Sequence, residues 1–353
     1  MVWRQVRVAS VAQAVSLGAI LANKGTTGRI ANSILFVTVD SIGKESLEPS
    51  TVSQDLVNKI VQRCVNLRRL AGPILNFKSV IQTAPFLPHL QSLSISNFSS
   101  LARKVNLPIA NVLAGLSTLI HLDIDAELLF PHYSPVSIPL FSLSSLSWAG
   151  TSMEKLEWIL QNSLHSLETL TLLRSPGLTG LSELLEKYGK RLASLRLRIE
   201  GGGLSKTDLV KLDLRERCTG LREILISTSL LPSFLSTLPI SIQHVAFSPS
   251  EDMELWWTGV IDEWICKHPS LQVLSLTGHW IHTVENFATN IADVDADGTS
   301  EMVAKQYDIV GRWSNACRKR GMHLRLYTCS NWPWSDSLER DFESPVCVSR
   351  RFR

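Results

Sequence analysis

Windows of the form L-x-x-L-x-L recur along the chain: LQSLSI from Leu90, LIHLDI from Leu119, LETLTL from Leu167, LASLRL from Leu192, LREILI from Leu221 and LQVLSL from Leu271. Less regular copies fill the intervals, LRRLAG from Leu67, LSSLSW from Leu143 and IQHVAF from Ile242, and three more are expected to start at Trp3, Ala31 and Gly321. Within each window the apolar residues alternate with polar ones, the period of two that a strand with one buried face requires. Twelve short strands are therefore expected. At 44% hydrophobic residues the hexamer alone would arise by chance in about one window in twelve. The spacing makes it a repeat: start-to-start intervals are 28, 36, 23, 29, 24, 24, 25, 29, 21, 29 and 50 residues, and nine of the eleven lie between 20 and 29.

Between the strands the period changes to that of a helix. Leu56, Ile60 and Val61 fall on one stripe, as do Leu156, Ile159 and Leu160, then Leu181, Leu184, Leu185 and Tyr188, and then Trp257, Val260, Ile261, Trp264 and Ile265. A strand with a crossover helix buries one face against its own helix and cannot close a core alone, so the units must stack. The spacing and pattern are those of an α/β leucine-rich-repeat solenoid: a right-handed superhelix with a curved parallel sheet on the concave face and helices on the convex face. The array is expected over 1–286, followed by an acidic loop, a capping helix from about Glu301 to Arg320 and a last strand over 287–329, and by a flexible tail over 330–353.

Alternation along each strand assigns the first, fourth and sixth positions to the core and the residues flanking the fourth to the concave surface. That surface is expected to be polar and solvated. The candidate partner-binding residues on it are His121, Asp123 and Asp125, an acidic patch, then Arg196 and Arg198, a basic one three units later, with Glu223 and His244 beyond. The expected ligand is another protein.

Composition narrows the picture. Net charge is +3 over 353 residues and no block of like charges reaches five, so no nucleic-acid partner is expected. No apolar run is long enough for a membrane helix. Arg4 and Arg7 ahead of Val8 to Ala22 superficially copy a secretion signal, but Gln13 and Ser16 interrupt that run. Val11, Ala14, Val15, Gly18, Ala19 and Ala22 recur at helical spacing, so an amphipathic helix is expected there. Cys64, Cys218, Cys266 and Cys317 sit at predicted helix ends without a C-x-x-C pair, the mark of reduced buried thiols, and a cytoplasmic or nuclear protein is expected.

The irregular repeats with C-x-x-L entries, the opening WRQVRVASVAQAVSLGAIL and the closing ACRKRGMHLRL resemble the leucine-rich-repeat region of fungal F-box proteins. In that family an F-box binds the Skp adaptor of a cullin ubiquitin ligase and the repeats select the substrate. The resemblance covers Met1 to about Cys329 and implies the substrate-recognition role. No leucine- and proline-rich F-box helix precedes Trp3, so a Skp adaptor is expected to bind only if an F-box lies upstream. The alternative is a stand-alone interaction scaffold or inhibitor unrelated to ubiquitin.

Motifs for chemistry are incomplete. Asp293, Asp295, Asp297 and Gly298 spell the first half of a calcium loop, but the twelfth position is Ala304 where a bidentate Glu belongs, so the three carboxylates are a weak calcium candidate and no cofactor is expected. Neither H-E-x-x-H nor G-x-S-x-G occurs, and GGGLSK at 201–206 lacks the residues of a phosphate loop. No nucleophile, base or metal set can be named at a diagnostic spacing, so no catalysis is expected.

Overall fold

A computed structural model describes residues 4–22, 27–39, 59–73, 87–96, 116–124, 140–149, 164–173, 177–199, 204–227, 232–247, 264, 266–277, 311 and 313–327. Twelve strands form an all-parallel sheet whose order is the order of the sequence. They are β1 Gln5–Val8, β2 Phe36–Val39, β3 Arg69–Pro73, β4 Ser92–Ser96, β5 His121–Ile124, β6 Ser145–Trp148, β7 Thr169–Leu172, β8 Ser194–Leu197, β9 Glu223–Ile226, β10 His244–Phe247, β11 Val273–Thr277 and β12 His323–Tyr327. Helices lie between them: α1 Val11–Ala22, α2 Thr27–Ser33, α3 Gly177–Tyr188, α4 Lys206–Lys211, α5 Leu214–Arg217 and α6 Pro232–Leu235. This is the α/β repeat architecture of the leucine-rich-repeat kind. The chain forms two compact units, 1–170 and 171–353.

The register keeps equivalent leucines in line. Leu70 pairs with Leu93, Leu93 with Leu122 and Leu122 with Leu146 in the first unit, and Leu195, Ile224, Val245, Leu274 and Leu324 follow one another in the second. These core positions are buried, and so is the first apolar residue of each window, with Leu90, Leu119, Leu143, Leu167, Leu192 and Leu221 all at 0% exposure. Each such side chain taken out of water contributes roughly 1.5–3 kcal/mol, which is why this column is leucine in unit after unit.

One turn geometry feeds most strands. From Ile34 to Leu271 the N–H of the first apolar residue donates to the carbonyl three residues back, as from Leu67 to Cys64 at 3.0 Å and from Leu221 to Cys218 at 3.0 Å. The next two N–H groups share one carbonyl of the preceding unit: Gln91 and Ser92 both reach the Arg68 oxygen, and Gln243 and His244 both reach that of Arg222. Side chains add a second tie. Asn66 donates to the Asn32 carbonyl, Thr118 to those of Pro88 and Leu90, Ser166 to that of Phe141, and Ser241 to those of Thr219 and Leu221. A polar residue just before the first leucine thus satisfies carbonyls of the turn one unit earlier.

Two expectations shift. The second repeat begins at Ile34, not Ala31, because Gln5 pairs with Phe36 and Ala31 is the buried residue whose carbonyl accepts from Ile34 at 3.3 Å. Helix α1 is present, but it buries Ala14, Leu17 and Leu21 and leaves Val15 51% exposed. The larger leucines win the core over the alanine and glycine stripe, which removes less apolar surface. The expected stripe over 181–188 is as read, with Leu181, Leu184, Leu185 and Tyr188 buried in α3. Ile60, Val61 and Trp264 are buried too, whereas the stripe at 156–160 lies outside the described residues. The expected capping helix is described at 311 and 313–319, where Trp313 and Cys317 are buried, and β12 follows as expected.

Among the described residues no helix is long and apolar enough to cross a membrane. Beside β1, which among the described residues pairs with β2 alone, an open cavity of about 340 Å³ lies between Val6, Val8, Ala12, Leu17 and Ile20.

Candidate functional site

The residues that alternate with the core leucines make up the other sheet face, and the two units differ there. In the first unit the face keeps solvent contact. Gln5, Arg7 and His121 are exposed, and Ser94, Asp123 and Ser147 are half-buried. The Ser94 hydroxyl donates to Asp123 Oδ2 at 2.8 Å, so the carboxylate is held in place by the neighbouring strand. Asp125 lies outside the described residues. On the turns before the strands, Phe141 is 60% exposed and stacks on His165, the ring centroids 6.4 Å apart and the planes 9° from parallel.

In the second unit the expected solvated surface gives way to a bonded one. The direct pairing of Ser194 with Glu223 and of Glu223 with His244 sets three polar side chains in a row across β8, β9 and β10. Ser194 Oγ donates to Glu223 Oε1 at 2.6 Å, and Arg196 Nε and Nη2 reach the same oxygen at 3.2 Å. His244 Nδ1 lies 3.1 Å from Glu223 Oε2, and its Nε2 lies 2.8 Å from Ser275 Oγ on β11. An ionised carboxylate only accepts, so Nδ1 carries the proton and the ring orientation follows from it. Burial works against the charge on Glu223, but the hydrogen bonds from His244 and Ser194 and the Arg196 charge outweigh it and hold the carboxyl down at about 2.

Arg196 is committed to Glu223, and Arg198, just past the end of β8, stays exposed with its N–H on the Leu172 carbonyl at 2.8 Å. The face is also less polar and less open than the alternation suggested: Leu225 and Ala246 stand on it at 1% exposure, Thr171 at 2%, Ser194 at 9% and Ser275 at 0%. Of the candidates, the structure brings Arg196, Glu223 and His244 into one network, while His121 and Asp123 belong to the other unit. The network was readable in principle: Arg196 and Glu223 are 27 residues apart and Glu223 and His244 are 21, one repeat each, so they fall on neighbouring strands.

The order Ser275, His244, Glu223 is that of a nucleophilic triad. Ser275 is fully buried in the middle of β11, whose backbone is engaged with β10 and β12. The hydrogen bonds run across β8, β9, β10 and β11 and tie these strands together. Among the described residues no group of three metal-ligating side chains occurs, and Asp293, Asp295 and Asp297 lie outside them.

His268 occupies the buried turn position that Leu87, Leu116, Leu140 and Leu164 take elsewhere. Its Nδ1 faces the Trp264 carbonyl at 3.0 Å and its Nε2 the Leu238 carbonyl at 3.3 Å, so it links its own turn to the preceding one.

No family model matches the chain, and no curated protein matches it.

Proposed function

We propose that the chain is a protein-recognition module, a stack of strand and helix units that offers a partner the sheet face opposite its leucine core. Within that class the more particular reading is the substrate-recognition part of an F-box-type ubiquitin-ligase receptor, which rests on the resemblance of the repeats and of the opening and closing segments. The observation that carries the module reading is the first-unit face. Arg7 on β1 and Ser94, His121, Asp123 and Ser147 on the successive strands β4, β5 and β6 alternate with the buried core residues and keep solvent contact.

Affinity capture from a lysate, with the full chain as bait, tests this. A specific partner should be recovered, and it should be lost at least tenfold when His121→Glu and Asp123→Lys are combined in a chain whose circular dichroism is unchanged. Retention of the partner by that double variant would remove the site from this face. For the narrower reading, the partner's ubiquitination should depend on this chain. A partner whose turnover is indifferent to the chain makes it a scaffold or inhibitor instead. Tight direct binding of a Skp adaptor to these 353 residues would contradict the assignment of recognition alone.

A further inference from the structure

We propose that the strand-entry rim of the first unit, where Arg4, Lys59, Arg63 and Arg68 accompany the exposed Val65, docks an acidic, extended segment of a partner protein. Charge is divided unevenly along the chain. The first four repeats, residues 1–118, hold 12 Lys and Arg against four Asp and Glu, an excess of eight positive charges, whereas 119–353 hold 23 against 28 and are negative by five. Among the described residues between 4 and 96 no Asp or Glu occurs, and Arg4, Lys59, Arg63 and Arg68 are all exposed. A partner that complements this rim is therefore acidic.

Register sets these charges side by side. The Leu35 N–H donates to the Arg4 carbonyl at 3.0 Å and the Arg68 N–H to the Leu35 carbonyl at 2.9 Å. Arg4 and Arg68 thus hold equivalent positions two strands apart, about 10 Å. Lys59 and Arg63 lie one helical turn apart on the stretch that leads into β3. Val65 follows, 47% exposed, in a turn held by the Leu67 N–H on the Cys64 carbonyl at 3.0 Å and by the Asn66 side chain on the Asn32 carbonyl. Basic side chains with one apolar residue among them match a segment in which carboxylates alternate with an apolar side chain. Carboxylates three residues apart on an extended segment are about 10 Å apart, the separation of Arg4 and Arg68. Nucleic acid fits this rim less well. Proteins that bind a duplex through its backbone make about 6–10 phosphate contacts, and the four cations here come without a Phe, Tyr or Trp to stack a base. The inference rests on the protein-recognition reading and adds a contact beside the sheet face.

The test is fluorescence anisotropy of a labelled peptide of five Glu-Glu-Leu repeats titrated with the full chain. Binding should weaken at least fivefold between about 50 and 300 mM salt. It should weaken at least tenfold on charge reversal at the rim (R4E, R63E and R68E), in a chain whose circular dichroism is unchanged. Gln at the same three positions, which introduces no new charge, should still cost at least threefold. Three equal reversals on exposed bases of the second unit (K190E, R222E and K319E) should change binding less than twofold. Three results would overturn the proposal: no binding of the peptide; equal losses from the two sets of reversals; or tighter binding of a single-stranded oligonucleotide of the same length. A lysate partner that is lost with His121→Glu and Asp123→Lys but kept with the rim reversals would reject the rim and leave the module reading standing.

Discussion

Glu223 keeps a charge in a place where burial opposes it, and its three donors come from both neighbouring strands. Its carboxyl titrates at about 2 in the folded chain against an ordinary 4.5, so folding favours the ionised form. The stability this confers is complete above pH 4.5 and is lost as pH falls from there towards 2. Glu223→Gln should therefore cost about 1–3 kcal/mol near neutral pH, because Arg196 is left without its counter-charge. Urea titrations between pH 5 and 2 should show a shallower loss of stability in the variant than in the wild type. If the two profiles run parallel, Glu223 is not the titrating group. Gly189 shows a different constraint. A Cβ there would lie 2.7 Å from the Arg217 carbonyl oxygen and 2.9 Å from Cys218 Sγ, and the backbone atom cannot move without disturbing α5. Gly189→Ala should lower stability by about 1–3 kcal/mol. Gly311→Ala, with nothing within 4 Å of the new methyl, should leave thermal stability unchanged or raise it by up to about 1 kcal/mol.

At the scale of the element, the strands were legible because their signal is local: a period of two in six residues, repeated at a regular distance. The first unit's second repeat misled by three residues because Ala31 and Ile34 are both apolar, and only the turn hydrogen bond and the pairing with β1 say which one leads the strand. The buried side of α1 misled because its sequence, VAQAVSLGAILA, is apolar but for Gln13 and Ser16, so periodicity alone does not choose between a stripe of small residues and one of leucines. The site was legible as a set of face positions and illegible as a network, because hydrogen bonds across strands depend on register and on which way an arginine turns. The side-chain ties between turns carry no apolar pattern at all, and their signal is a small polar residue ahead of the leucine. Thr118→Val keeps the shape and removes both of its bonds, to Pro88 and Leu90, so it should cost about 0.5–1.5 kcal/mol in equilibrium unfolding. Unchanged stability would mean that water replaces the hydroxyl there.

For the whole molecule, the cysteines give a measure of integrity. Burial pushes the thiols of Cys64, Cys218 and Cys317 up to about 12, whereas Cys266 is exposed. Iodoacetamide at pH 8 should modify Cys266 in the native chain and spare Cys64, Cys218 and Cys317 until denaturant is added, as peptide mapping would show. Early labelling of Cys64 or Cys218 would place local opening in the turn that starts the neighbouring strand. That turn has a broader consequence. Most strands are set in phase by two N–H groups that share a carbonyl of the unit before them, and β12 by one, from His323 to the Gln272 carbonyl at 2.8 Å, and not by the length of chain in between. From Leu271 to Gly321 is a 50-residue interval and from Leu221 to Ile242 a 21-residue one, yet Leu274 meets Leu324 as squarely as Ile224 meets Val245. The connections are thus free to lengthen, shorten or acquire new chemistry while the strands stay in step, since added loop length costs only slowly growing entropy. A partner can be gained or lost by rewriting a connection, with the ladder left as it was.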